Sequence, residues 1–240
     1  MKTFLLLSSL ALTCSPVFAA SNSSPNIAEV DKAASTLNIE KLQQLSTATQ
    51  DYEAAYANYR LAISANVMGQ KTIAENALAS AQASLETLTN SQADAESLAL
   101  LSSVYGMQIA LDNSKGAELG SKSANAIAQA EQLAPLNPRV ALVKAIAAYN
   151  TPAMFGGSMQ HAKTLASSAI ERFNQPCEDI CWGEAEAYTW RGLAKQELGD
   201  TQGAIEDWQQ ALQVEKDYGW AKFLLQQNQQ NQQNQQISAK

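Results

Sequence analysis

From residue 26 to about residue 225, apolar side chains recur at intervals of three and four, and short polar breaks interrupt the pattern. That interval is the period of an α-helix with one buried stripe, so the chain reads as a series of amphipathic helices joined by tight turns. The clearest stretch is residues 185–216, AEAYTWRGLAKQELGDTQGAIEDWQQALQVEK. Its first helix is predicted to run to about Leu198, with Gly199-Asp200 as the turn. The second helix carries Ala204, Trp208, Ala211 and Leu212. Gly199 suits the left-handed conformation that ends a helix, and Thr201 is the expected cap of the next. The small residues Gly192, Ala204 and Ala211 stand where two helices must approach closely, and Tyr188 and Trp208 fill the spaces between.

Weaker copies precede it. Residues 55–86 place Leu61-Ala62 in a first helix, Gly69 in the turn, and Ala74, Leu78 and Ala81 in a second. Residues 93–136 predict a helix to about Ala110, an enlarged turn from Leu111 to Gly116, and a long second helix. Residues 138–174 open at Pro138, which suits a first helical position, and their two helices are separated by TPAMFGGS, residues 151–158. A short pair of helices before residue 50 and a helix from Tyr218 to about Gln229 would cap the ends. A stack needs such caps, because each unit buries its apolar stripe only against a neighbour.

The 185–216 unit resembles a tetratricopeptide repeat, a 34-residue helix pair with small residues at the Gly192, Ala204 and Ala211 places and an aromatic at the Trp208 place. Lys216 stands where the pattern usually ends on proline. The segments SVYGMQIAL (103–111), NPRVALVKAIAAYNTPAMFGG (137–157) and WGEAEAYTW (182–190) are further similar to a group of exported bacterial tetratricopeptide proteins of about this size, over residues 38–225. The resemblance implies an all-α solenoid of about four antiparallel helix pairs over residues 26–225, with short capping helices. It also implies that the first helix of each unit lines a concave groove that takes peptides. In that register Tyr56, Tyr59, Ile63 and Asn66 line the groove in the first unit, and Glu186, Thr189, Leu193 and Gln196 in the last. These positions lack the Lys and Arg that would hold a C-terminal carboxylate, so the expected guest is an apolar or mixed segment. Tyr52, Tyr56 and Tyr59 fall on one helical stripe, which serves packing as readily as recognition.

Composition narrows the function. Alanine (42 residues) and glutamine (24) dominate the 240, both favour helix, and β-branched residues are thin, which argues against an all-β or parallel α/β chain. The net charge of −7 argues against nucleic acid as a partner. Residues 1–19 read as a signal peptide: Met-Lys, an apolar run from Phe4 to Leu12, and Val17 and Ala19 at the −3 and −1 places of a cleavage site. That run is too short to span a bilayer. The alternative, lipidation at Cys14, is weakened by Thr13 before it. Residues 20–25 form a polar linker, and the mature chain is expected in a periplasm, with secretion as the second reading. The QQNQQNQQNQQ run within 226–240 is expected to be a disordered tail.

Candidate chemistry is sparse. With Cys14 removed, Cys177 and Cys181 in QPCEDICWGE form an even pair in an oxidising compartment, and a disulfide is the natural reading. A zinc site would have to draw on His161 and acids such as Glu178 and Asp179, and a redox pair would have two intervening residues rather than three. In the 151–158 loop, Phe155, Gly156 and Gly157 permit two readings. The loop is either a ligand site with amides free for an anion, or a shaped turn in which Pro152 ends a helix, Phe155 plugs the core and Ser158 caps the next helix. His161 is the one orthodox acid–base candidate and has no Ser or Cys nucleophile arranged with it. No cofactor or metal is expected. The expected function is that of an exported scaffold without catalysis, binding a protein or peptide of the cell envelope on its concave face. The alternative is a small-molecule or ion-binding protein that uses the 151–158 loop.

Overall fold

The computed structural model describes residues 25–177 and 179–238. The expected signal peptide (1–19), the expected linker up to residue 24 and Glu178 lie outside the described residues. Eleven α-helices follow one another among the described residues, with no strand: α1 (Pro25–Ser35), α2 (Ile39–Ala48), α3 (Asp51–Val67), α4 (Lys71–Ser91), α5 (Ala95–Leu111), α6 (Gly116–Leu133), α7 (Pro138–Asn150), α8 (Met159–Phe173), α9 (Glu184–Glu197), α10 (Thr201–Val214) and α11 (Gly219–Ser238). Short 3₁₀ turns at Asn113–Lys115 and Ala153–Phe155 sit inside the two longest turns within pairs. No described helix is long and apolar enough to cross a membrane.

The helices pack as successive antiparallel pairs, α3 with α4, α5 with α6, α7 with α8 and α9 with α10. Each second helix also leans on the first helix of the next pair, and α3, α5, α7 and α9 touch in sequence as an inner row. This is the α-solenoid that the resemblance implies. Its local stops follow from the residues. Asn137 caps α7 by accepting from the amides of Arg139 and Val140, with Pro138 in the first turn. Gly199 takes φ +86 after α9. Asp200 rather than Thr201 caps α10, accepting from Gly203 N at 2.9 Å, because the carboxylate stands one residue before the first helical amides.

Close approach within a pair is clearest between α9 and α10. Trp208 is fully buried against Gly192, where an added Cβ would lie 2.8 Å from the indole Cδ1. The largest apolar cluster runs from Ile27, Val30 and Leu42 through the tyrosines of α3 to Trp182, so α1 and α2 share a core with the start of α9. A separate cluster joins Ala185, Trp208, Ala211, Tyr218 and Leu224. The Gln/Asn run departs from expectation: α11 continues through it to Ser238. Glutamine is a good helix former, Asn228 is buried, and Gln232 donates to its Oδ1 at 2.9 Å across one helical turn.

Candidate functional site

In a stack of antiparallel pairs the inner helices all run the same way, so their N-terminal ends gather at one edge and their C-terminal ends at the other. The N-terminal edge of the inner face is sealed. Tyr52 and Tyr56 of α3 meet Trp182, two residues before α9. The Tyr56 and Trp182 rings stack at 5.1 Å, and the indole N–H donates to Tyr52 Oη at 2.9 Å, across 130 residues of sequence. Beside them Arg139 at the start of α7 makes a two-pronged pair with Glu96 of α5 at 2.5–2.6 Å.

A polar cluster lies next along the same face. Arg60 of α3 sits 3.6 Å from Asp31 of α1 and 3.6 Å from Glu186 of α9, and its guanidinium lies over the Tyr56 ring. Tyr56 donates to Asp31 Oδ1 at 2.5 Å. Arg60 Nε is buried at ion-pair distance from Asp31 without a hydrogen bond. One cation thus faces two carboxylates, with Glu215 near. Burial raises the carboxyls of Asp31 and Glu186 above their ordinary range, and Arg60 only partly offsets this. Burial also works against the Arg60 charge, but Tyr56, Asp31 and Glu186 more than reverse it and hold it protonated.

The C-terminal half of the inner face stays partly open. Trp190, Leu193 and Glu197 continue the α9 stripe that begins at Glu186. Trp190 contacts Tyr149 of α7 edge-on at 5.1 Å and Trp220 of α11 edge-on at 5.0 Å. Tyr149, Trp190, Leu193 and Trp220 are all half-buried, and Glu197 is exposed. Burial, then the Glu197 charge, raises the Tyr149 phenol above its ordinary value.

The groove residues expected from the sequence therefore divide. Tyr56 and Tyr59 lie in the core, Tyr56 beneath Trp182 and Tyr59 against Ser103 of α5, so neither offers a free ring to a guest. Thr189 is fully buried toward α10, with its carbonyl accepting from Trp208 Nε1 at 3.4 Å. Glu186 is on the inner face but buried in the Arg60 cluster. Ile63, Leu193 and Gln196 are half-buried and Asn66 exposed. Sequence reading missed Arg60, Asp31, Tyr149, Trp190 and Trp220. A signal for Trp190 was present, since Glu186, Trp190, Leu193 and Glu197 stand at intervals of four, three and four, one residue away from the assigned register.

Cys177 and Cys181 are at disulfide distance, with Cα atoms 5.7 Å apart, and the paired loop leads directly into Trp182. Phe155 does not plug the core: it is 72% exposed, because the 3₁₀ turn at 153–155 lifts it off the helices. The loop's amides are committed internally. Those of Phe155 and Gly157 donate to Pro152 O, that of Gly156 to Ala153 O and that of Ser158 to Ala148 O. Gly156 takes φ +95, and a Cβ on Gly157 would run into the Thr151 carbonyl. Ser158 caps α8 as expected. His161 is exposed on α8. Among the described residues no group of three or more His, Cys, Asp or Glu is placed to hold a metal ion.

No family model matches the sequence, and no curated protein matches it. Solved structures do match. The fold is similar to that of the HusA haemophore from Porphyromonas gingivalis, with a TM-score of 0.50 and 21% identity over 72% of this chain and 90% of that one. It is also similar to a thermophilic TPR protein of Thermus thermophilus, with a TM-score of 0.55 and 15% identity over 84% of this chain and 94% of that one. The fold is that of a tetratricopeptide-like helical repeat, as the 185–216 pattern implied.

Proposed function

We propose that the chain is an exported scaffold without catalytic activity, which holds a segment of an envelope protein on the open half of its inner face. The observation that carries this reading is the half-buried wall of Tyr149, Trp190, Leu193 and Trp220, supplied by three different helices. Aromatic side chains presented this way offer large contact area at low conformational cost, as interface anchors do. Export is supported by the residue 1–19 pattern and by the Cys177–Cys181 pair, which persists only in an oxidising compartment. The haemophore's likeness extends to the fold, and haem binding is not carried over to this chain. The ligand-loop reading of 151–158 loses its main support, because the amides of residues 155–157 are engaged within the loop and that of Ser158 by Ala148 O of α7.

The test is site-specific photo-cross-linking in cells. A benzophenone amino acid at position 193 is expected to give a discrete adduct with one protein, while the same probe at exposed position 206 gives none. No adduct from 193, or the same adducts from both sites, overturns the reading.

A further inference from the structure

Resting on that reading, we infer that the segment received at the open half of the inner face carries a Lys or Arg side chain flanked by apolar ones, and that this cation seats against Tyr149, Trp190 and Trp220. The electron-rich faces of aromatic rings attract cations, tryptophan most strongly. The three rings are held together by two edge-on contacts of 5.1 and 5.0 Å, with interplanar angles of 64° and 79°, so they face different directions around Trp190.

The surrounding charge has the complementary sign. On the α9 stripe Trp190 stands between Glu186 and Glu197, and Glu186 Oε1 accepts from the Trp190 N–H at 3.5 Å. Behind them Asp31, Glu186 and Glu215 outnumber Arg60. Neighbouring cations are engaged elsewhere: Arg191 and Lys195 with Asp207, Lys144 with Glu131, and Lys222 with Asp217, which Lys216 also adjoins. Of the helix ends at the rings, α7 terminates just after Tyr149 and α11 begins just before Trp220, so their end charges oppose one another and the side-chain carboxylates set the sign. An anionic guest would meet like charge here. A neutral apolar guest would leave Glu197 without use.

The experiment titrates the full chain with two labelled synthetic peptides of 18 residues. Both carry the same leucine pattern, one with lysine and the other with glutamate at the polar positions. The lysine peptide is expected to bind, more weakly as salt rises, and the glutamate peptide to bind at least about tenfold less tightly. Trp190→Leu should weaken the lysine peptide by about tenfold while Trp190→Phe keeps most of the affinity. Glu197→Gln should weaken it several-fold, and the exposed Glu206→Gln should not. Circular dichroism checks that each variant folds, and Trp190→Phe with Glu197→Gln decide the matter if Trp190→Leu does not fold. Equal loss in Glu197→Gln and Glu206→Gln would mean attraction to a generally acidic surface and overturns the inference. Equal binding of both peptides, abolished by Trp190→Leu, overturns the cation while leaving the inner-face scaffold standing. Failure of both peptides also overturns the cation, with the scaffold then decided by the cross-link at position 193.

Discussion

Gly192 and Arg60 show how single side chains set limits on this molecule. Gly192→Ala places a methyl group against the Trp208 indole at van der Waals overlap, and a buried tryptophan has little room to yield. The substitution should lower unfolding free energy by about 1–3 kcal/mol in urea titrations. Arg60→Met should cost about 3–5 kcal/mol, because it leaves Asp31 and Glu186 buried without their cation. Adding Asp31→Asn and Glu186→Gln to that variant should recover most of the loss.

The pH dependence follows from the same residues. In the folded state the Asp31 and Glu186 carboxyls bind their protons more tightly than in the unfolded chain. Their contribution to stability is therefore full below the unfolded carboxylate value, about 4, and is lost as pH rises through the raised folded values. Arg60, Tyr56, Tyr59 and Tyr218 keep their protons across this range, and Glu215, also raised by burial, adds to the same slope. Denaturation curves between pH 4 and 7 should show wild type losing stability relative to Asp31→Asn as pH rises. The opposite slope would contradict the burial. The glycine was legible as a small residue at a helix crossing. The ion cluster was not, because its three members lie on α1, α3 and α9 and no local pattern links them.

At the level of the element, the 177–181 loop closes as its cysteines suggest, whereas α11 is helical where its composition suggests a disordered tail. The five-residue loop closed by Cys177 and Cys181 stabilises by about 2 kcal/mol through chain entropy, and it also positions Trp182 over Tyr56. Replacing both cysteines with serine should lower stability by about that amount and alter Trp182 fluorescence, and dithiothreitol should reproduce both effects in the wild type. Helix α11 is anchored by Ala221, Leu224 and Asn228, while Gln229–Asn234 are exposed. Removing residues 231–240 should reduce the helical circular dichroism signal but leave the melting temperature nearly unchanged, since Asn231–Asn234 lie exposed on the helix. The pair boundaries were readable from the sequence because glycine, proline and capping residues act within one turn. The helical state of the Gln/Asn run was not, because a polar sequence without an apolar stripe is also what a disordered tail looks like.

The whole molecule is less linear than a row of repeats. In an open solenoid each unit touches only its neighbours and the ends can melt independently. Here Trp182 and Glu186 of the last unit reach back to Tyr52, Tyr56 and Arg60 of an early one. Trp182→Ala, which removes a buried stack and the Tyr52 hydrogen bond, should split a single calorimetric transition into two. Retention of one sharp transition would show that nearest-neighbour packing alone sets the cooperativity. By itself the sequence determined the helices up to the Gln/Asn run, their turns and their pairing, since all of these depend on spacings within about 34 residues. Only the tertiary structure decided which half of the inner face is closed and which is open. A one-residue step between Thr189 and Trp190 turns a side chain by about 100°, from the core to the groove. Whether a residue on the inner stripe is buried also depends on what a helix more than a hundred residues away brings to meet it.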